Sequence, residues 1–290
     1  MEASVTPGIG ARRGLTSTGL KGIALVLMVL DHVHYIFGFT GWIPDWFSML
    51  GRLSAPLFLF CAVEGFTHTR SRRKYFLRLY ALSVLMTALL LTMNVFGLFV
   101  RPDGFYPMNG MMTALALLAI VWQGMDWLGE GRYLRGAAAV ILPLAWPFLL
   151  TAAMGALPAL GLPLTALIAL VPTWSFSPDA SLPVLVSGMA LYLFRRNRRL
   201  QAAAFMAVHL LCYLVYVGWM CSQAPGFHWT QMFTMYYEWY GALAGLLMLC
   251  YNGQRGRGCK AFFYAFYPAH IYVFYILSWA LYLWLSGGQP

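Results

Sequence analysis

Residues 20–37 read LKGIALVLMVLDHVHYIF, and the fold class turns on how that stretch is read. It is an apolar run with Lys21 at its foot and Asp31, His32 and His34 well inside it, and its length approaches the ~20 residues that a helix needs to cross a bilayer. No small-residue cleavage site follows, so it reads as a retained transmembrane helix and not a signal peptide. The pattern recurs over 49–68, 75–99, 110–125, 135–153, 181–195, 201–221, 231–250 and 261–285. The chain is 61% hydrophobic and 10% charged, with a mean hydropathy of +0.68; soluble domains carry about 25% charged residues. The expectation is an all-α, polytopic transmembrane helical bundle of about 9–10 TM helices, with a tail over 1–19 and a single membrane domain over 20–285. The segment 156–172 is apolar but holds Pro158, Pro163 and Pro172. It reads as a re-entrant or lumenal hairpin, or as an extension of its neighbour.

Lys and Arg favour cytoplasmic loops. With the N-terminus cytoplasmic and 156–172 not counted as a span, all of the 19 basic residues except Arg52 and Arg101 fall on the inner side, and the C-terminus is periplasmic. The net charge of +10 is thus an orientation signal, which argues against nucleic acid as a partner. The five cysteines show no metal-ligand spacing and behave as small apolar residues inside spans. No metal site is expected, and nothing in the residues speaks to oligomeric state.

An ionisable residue inside a span is costly, and by default marks a functional site. At ~1.5 Å per residue, His32 lies about 18 Å and His270 about 13 Å along their helices from the inner face. Glu238 comes out about 20 Å and His209 about 12 Å from that face, with Asn109 near the outer end of its helix. Lys21 and His32 are three turns apart and share a face. A cation at the surface and an imidazole deep inside suit a ligand that is anionic at one end and reactive at the other; acetyl-CoA has that form. Asp31 and His32 point about 100° apart, so Asp31 is expected to pair with Arg52 or another helix. Glu64 and His68 face the same way and read as a local pair or as cofactor contacts. His209 reads as an interhelical hydrogen-bond partner, and Asp126 and Glu130 as solvated loop charges.

Four blocks then carry a likeness. LKGIALVLMVLDHVHYIF resembles the first helix of the TraX family, integral-membrane proteins that acetylate the N-terminus of conjugative F-type pilin. LGRLSAPLFLFCAVEGFTHT with RSRRKYFLRL is similar to that family's second helix and basic loop. YPMNGMMTALAL is similar to its Asn-containing helix, and CKAFFYAFYPAHIYVFY to its closing aromatic segment. They occur in family order over roughly the first 125 residues and the last 30; residues 135–250 match only in hydropathy. The Lys21–His32 spacing also resembles the arginine-x10-histidine signature of the acyltransferase-3 superfamily. The resemblance implies a multi-pass protein of the bacterial inner membrane that moves an acetyl group from cytoplasmic acetyl-CoA to a pilin N-terminus. It makes His32 the catalytic histidine and Lys21 the cofactor-side cation. Arg52, Glu64, Asn109, Tyr267 and His270 are the other positions in matched motifs.

The mechanism expected on this basis has Lys21, Arg72, Arg73, Lys74 and Lys260 neutralising CoA phosphates. Glu64 and Tyr267 would line the cofactor path, and His32 would act as general base beside Asp31. Arg52, Asn109 and His270 are the candidate oxyanion donors. Two alternatives stand beside this reading: an O-acetyltransferase acting on an envelope glycan or lipid-linked sugar, and a proton-coupled transporter. No internal repeat supports the second.

Overall fold

The computed structural model describes residues 14–157, 159, 161–175, 178–258 and 260–287, without the side chains of 162–164, 178 and 260. Arg12, Arg13, Pro158, Cys259, and the side chains of Pro163 and Lys260 lie outside that description. Most of the described residues are helical and none lies in a strand; one isolated bridge joins Leu15 and Tyr251. Among the described residues seven helical stretches are long and apolar enough to cross a membrane, so the protein is a multi-pass, all-α bundle.

Helix α1 (Ser17–Phe37) starts where Thr16 accepts the Gly19 N–H, as an N-cap residue does. Below it the chain is strapped to residues 250–257 by Leu15 N–H on the Cys250 carbonyl and the Thr18 hydroxyl on the Arg255 carbonyl. The expected second span is two helices, α2 (Trp46–Gly51) and α3 (Ser54–Thr67). Pro56 explains the break, because its ring clashes with the carbonyl four residues back, that of Arg52. Gly51 lets α2 approach α1, since a Cβ there would collide with the Asp31 side chain. Small residues serve this purpose in membranes, where apolar burial does not drive helices together.

Helix α4 (Arg72–Phe96), capped by Ser71, leads away again. α5 (Met111–Gly129) returns and α6 (Tyr133–Ala156) packs closely on it across Gly124 and Gly136. Helix α7 (Gly161–Leu170) then enters from the far end beside α4. Its Leu170 carbonyl accepts the Tyr80 hydroxyl at 2.7 Å. The chain turns, with Trp174 Nε1–H on the Leu144 carbonyl, and comes back to Asp179, which accepts the Gly110 N–H at 3.3 Å. Entry and exit at one end make this segment re-entrant.

α8 (Leu182–Leu193) is only 12 residues long. α9 (Arg198–Leu210) runs through a π-helical turn, Leu211–Val217, into α10 (Gly218–Ser222). The expected helix over 231–250 is instead three pieces: α11 (Gln231–Thr234), a 3₁₀ stretch Tyr237–Leu243, and α12 (Ala244–Leu249). Gly241 sits in the middle piece against His209 and the Arg52 carbonyl, where a Cβ would lie 2.6 Å from His209 Nε2. α13 (Lys260–Leu285) closes the fold.

The basic loops gather at one end. Asp126 accepts from Arg72 Nη2 (2.6 Å), Arg195 Nη2 (2.8 Å) and the Tyr192 hydroxyl (2.8 Å), so the solvated loop charge expected there is a partly buried tie between α4, α5 and the end of α8. Glu130 is exposed and faces Arg132. At the opposite end Arg101 is buried beneath Phe39 and Phe105. It bonds Asp103, the Ile36 carbonyl and Ser278.

Candidate active site

His32 on α1 and His270 on α13 come together with ring centroids 4.7 Å apart and planes at 75°. Each uses its Nδ1 on its own helix: His32 on the Met28 carbonyl at 2.8 Å, His270 on the Phe266 carbonyl at 2.9 Å. A carbonyl only accepts, so both Nδ1 atoms carry hydrogen and both neutral rings keep their lone pair on Nε2. His270 Nε2 is buried with no partner, and no described residue bonds His32 Nε2. Buried polar atoms nearly always find a partner, which makes the His270 ring conspicuous; His32 beside it is partly buried.

The tautomers alter one expectation. His270 was expected among oxyanion donors, but its only N–H is committed to Phe266, and what it presents is a lone pair. Asn109 is buried on the chain entering α5, and its unpartnered atom, Oδ1, is likewise an acceptor. The buried Nε of Arg52 has no partner. Its Nη2 reaches Asp31 at 3.2 Å and the Ser48 hydroxyl at 2.6 Å, while Ser48 donates to Asp31. The expected Asp31–Arg52 pair is therefore present, on the side of α1 away from His270.

A cavity of about 320 Å³ opens among α1, α3, α4, α5 and α13. Its inner end is formed by Met28, Met111 and Tyr267, one turn short of His32 and His270; its other end carries Lys21, Arg78 and Arg255. Among the described residues no carboxylate pairs with any of these three cations. Lys21 and Arg78 instead stand over Phe263 and Tyr264. Ligand pockets start at about 300 Å³, so this volume fits a slender arm and not a whole nucleotide.

Of the expected cofactor residues, Lys21, Glu64 and Tyr267 line this cavity. Arg72 does not; Asp126 and Gln123 hold it. Arg73 and Lys74 are exposed and outside the lining, and the Lys260 side chain falls outside the described residues. Arg78 and Arg255 take their place, a pairing that only folding reveals because the two loops lie far apart in sequence. Glu64 and His68 are not a side-chain pair: Glu64 binds Arg198 at 3.0 Å, and His68 Nδ1 donates to the Glu64 carbonyl. His209 is satisfied on both nitrogens, by Ser187 and the Glu238 carbonyl, each at 3.3 Å. Among the described residues no cluster of His, Cys, Asp or Glu could hold a metal.

The family model described as "TraX protein" matches residues 17–278. A curated relative, the "Probable fimbrial assembly protein FimC, serogroup H1" of Dichelobacter nodosus, is 36% identical over 107 residues. That alignment takes in 35% of this chain and 44% of the relative, so the chain matches less than half of that protein's length. No solved structure matches the chain.

Proposed function

From the premise that the chain belongs to the TraX family, we propose that it is a pilus-related acetyltransferase of the bacterial inner membrane. Its basic end faces the cytoplasm, as the positive-inside rule favours. The donor is acetyl-CoA and the acceptor is an amine, in the first place the N-terminus of a pilin. One observation carries this reading: a cavity that starts at three cations with no acidic partner among the described residues and ends one turn below two imidazoles whose Nε2 atoms no described residue bonds.

CoA phosphates rest on Lys21, Arg78 and Arg255, and the pantetheine arm fills the apolar cavity up to Met28 and Tyr267. The thioester then stands beside His32. The acceptor nitrogen attacks the thioester carbonyl while His32 Nε2 takes its proton; the C–S bond breaks, and the thiolate leaves and is reprotonated by the imidazolium. Met28 fixes the tautomer that makes Nε2 the base. Such base catalysis is worth ~10²–10⁴-fold. Arg52, whose Nε has no partner, remains the candidate donor to the developing oxyanion.

The test incubates purified protein with labelled acetyl-CoA and a pilin-like peptide with a free N-terminus. Transfer by the wild type and its loss in His32→Ala are expected; equal transfer by both would remove the central residue. The printed name of the Dichelobacter relative supports a second reading, a non-catalytic assembly factor. Acetyl-CoA binding with no transfer to any acceptor would favour it.

A further inference from the structure

The re-entrant segment between α7 and α8 brings a carboxylate to the site from the end opposite the cations. Asp179 accepts the Gly110 N–H through Oδ2, which places it beside the strand of chain that holds Asn109. The neighbouring Met108 N–H lies on the Tyr35 hydroxyl at 3.0 Å, and Tyr35 packs edge-on to His32. The Asp179 side chain is exposed, and it lies within electrostatic reach of His32, Asp31 and Arg52. Among the described residues it has no salt-bridge partner, and the Arg52 guanidinium is already held by Asp31 and Ser48. Two of the buried side-chain atoms without a partner, His270 Nε2 and Asn109 Oδ1, are acceptors. Such a site lacks a cationic group with several N–H donors.

We propose that Asp179 is the specificity-determining residue for the acceptor, receiving its terminal ammonium on the free carboxylate oxygen and presenting it to His32. The inference rests on the acetyltransferase reading. The ammonium docks on Asp179 and passes one proton to His32 Nε2. His32 releases that proton to water; the amine so formed attacks the thioester carbonyl, His32 Nε2 takes its second proton as the amide forms, and that proton passes to the CoA thiolate as the C–S bond breaks.

The experiment compares two short peptides that differ only in an N-terminal ammonium or a hydroxyl in its place. Both are measured as inhibitors of transfer to a labelled acceptor peptide by the full chain in detergent. The wild type is expected to prefer the ammonium by about tenfold or more. Asp179→Asn and Asp179→Ser lose that preference while KM for acetyl-CoA stays within about twofold, a change too small to report a lost charge contact; Asp179→Glu keeps it. A preference unchanged in the neutral variants, or acetyl-CoA and both peptides weakening together, overturns the proposal. Should both neutral variants fail to fold, a wild type that binds the two peptides equally overturns it as well. A wild type that transfers acetyl to no acceptor sinks the parent reading instead.

Discussion

The protein buries two histidine sites that look alike in sequence and differ in one physical respect. His209 sits between Ser187 and the Glu238 carbonyl with both ring nitrogens engaged, and Gly241 is packed against it so closely that no side chain fits. His32 and His270 each spend one nitrogen on their own helix and leave the other free. A satisfied imidazole between helices is glue. An unsatisfied one in a membrane interior is tolerated at a cost, and function is the ordinary reason for tolerating it. His209 and His270 are buried alike, so between those two rings the difference lies in partners, not in depth.

The sharpest way to break that comparison is to delete each ring. His32→Ala should lower acetyl transfer by ~10²–10⁴-fold and leave the unfolding temperature near that of the wild type. His209→Ala should do the reverse, retaining transfer while losing about 1 kcal/mol of stability, the scale of an interhelical hydrogen bond in a membrane. Thermal unfolding and initial rates on the same preparations decide it. A His209 variant as inactive as the His32 variant would end the distinction between glue and base.

The cations divide in the same way, and the next effect is smaller. Arg72 and Arg195 are tied to Asp126, and Arg198 to Glu64, whereas Lys21, Arg78 and Arg255 face the cavity with no acidic partner among the described residues. Lys21→Glu or Arg255→Glu should raise KM for acetyl-CoA roughly 10- to 100-fold, the worth of a charged hydrogen bond lost. The exposed Arg73→Glu should leave it unchanged. Cys61 lies in the cavity wall, so CoA should slow its alkylation by a small thiol reagent. Labelling that CoA does not slow would place the cofactor elsewhere.

Much of this division could be read before folding. The apolar runs follow from residue type, which is local; in sequence Arg52 is one of the partners open to Asp31, and re-entry is one of three readings of 156–172. The tied and free cations could not be told apart, because Arg78 and Arg255 reach one cavity only when α4 and the loop before α13 meet. Asp179 was equally hidden: in sequence it is a loop aspartate after a run of prolines and serines. The breaks at Arg52 and in 231–249, and the π turn at 211–217, also escaped hydropathy, which averages over the positions where Pro56 and Gly241 act. Tautomers escaped for the same reason, being set by backbone carbonyls.

The smallest effect concerns a third buried polar site, Arg101, which belongs on the satisfied side of the comparison. Its guanidinium is enclosed by Phe39 and Phe105 and forks onto Asp103 at 2.7 and 2.8 Å. Asp103 is in the loop outside the spans, and hydrogen bonding from Arg101 holds its carboxyl below the ordinary value of 3.8. A carboxyl whose folded pKa is depressed stabilises the fold fully above its unfolded pKa, and that contribution fades as pH falls through the folded pKa. The window therefore lies below about pH 4, the ordinary aspartate range. Asp103 is partly exposed, so the pair is screened and worth under about 1 kcal/mol. Asp103→Asn should accordingly unfold slightly earlier than the wild type at pH 7, with the two melting curves converging on acidification below pH 4. Transfer activity should be unchanged at neutral pH, because a site with every partner in place contributes to the fold and leaves the chemistry to the site that lacks them.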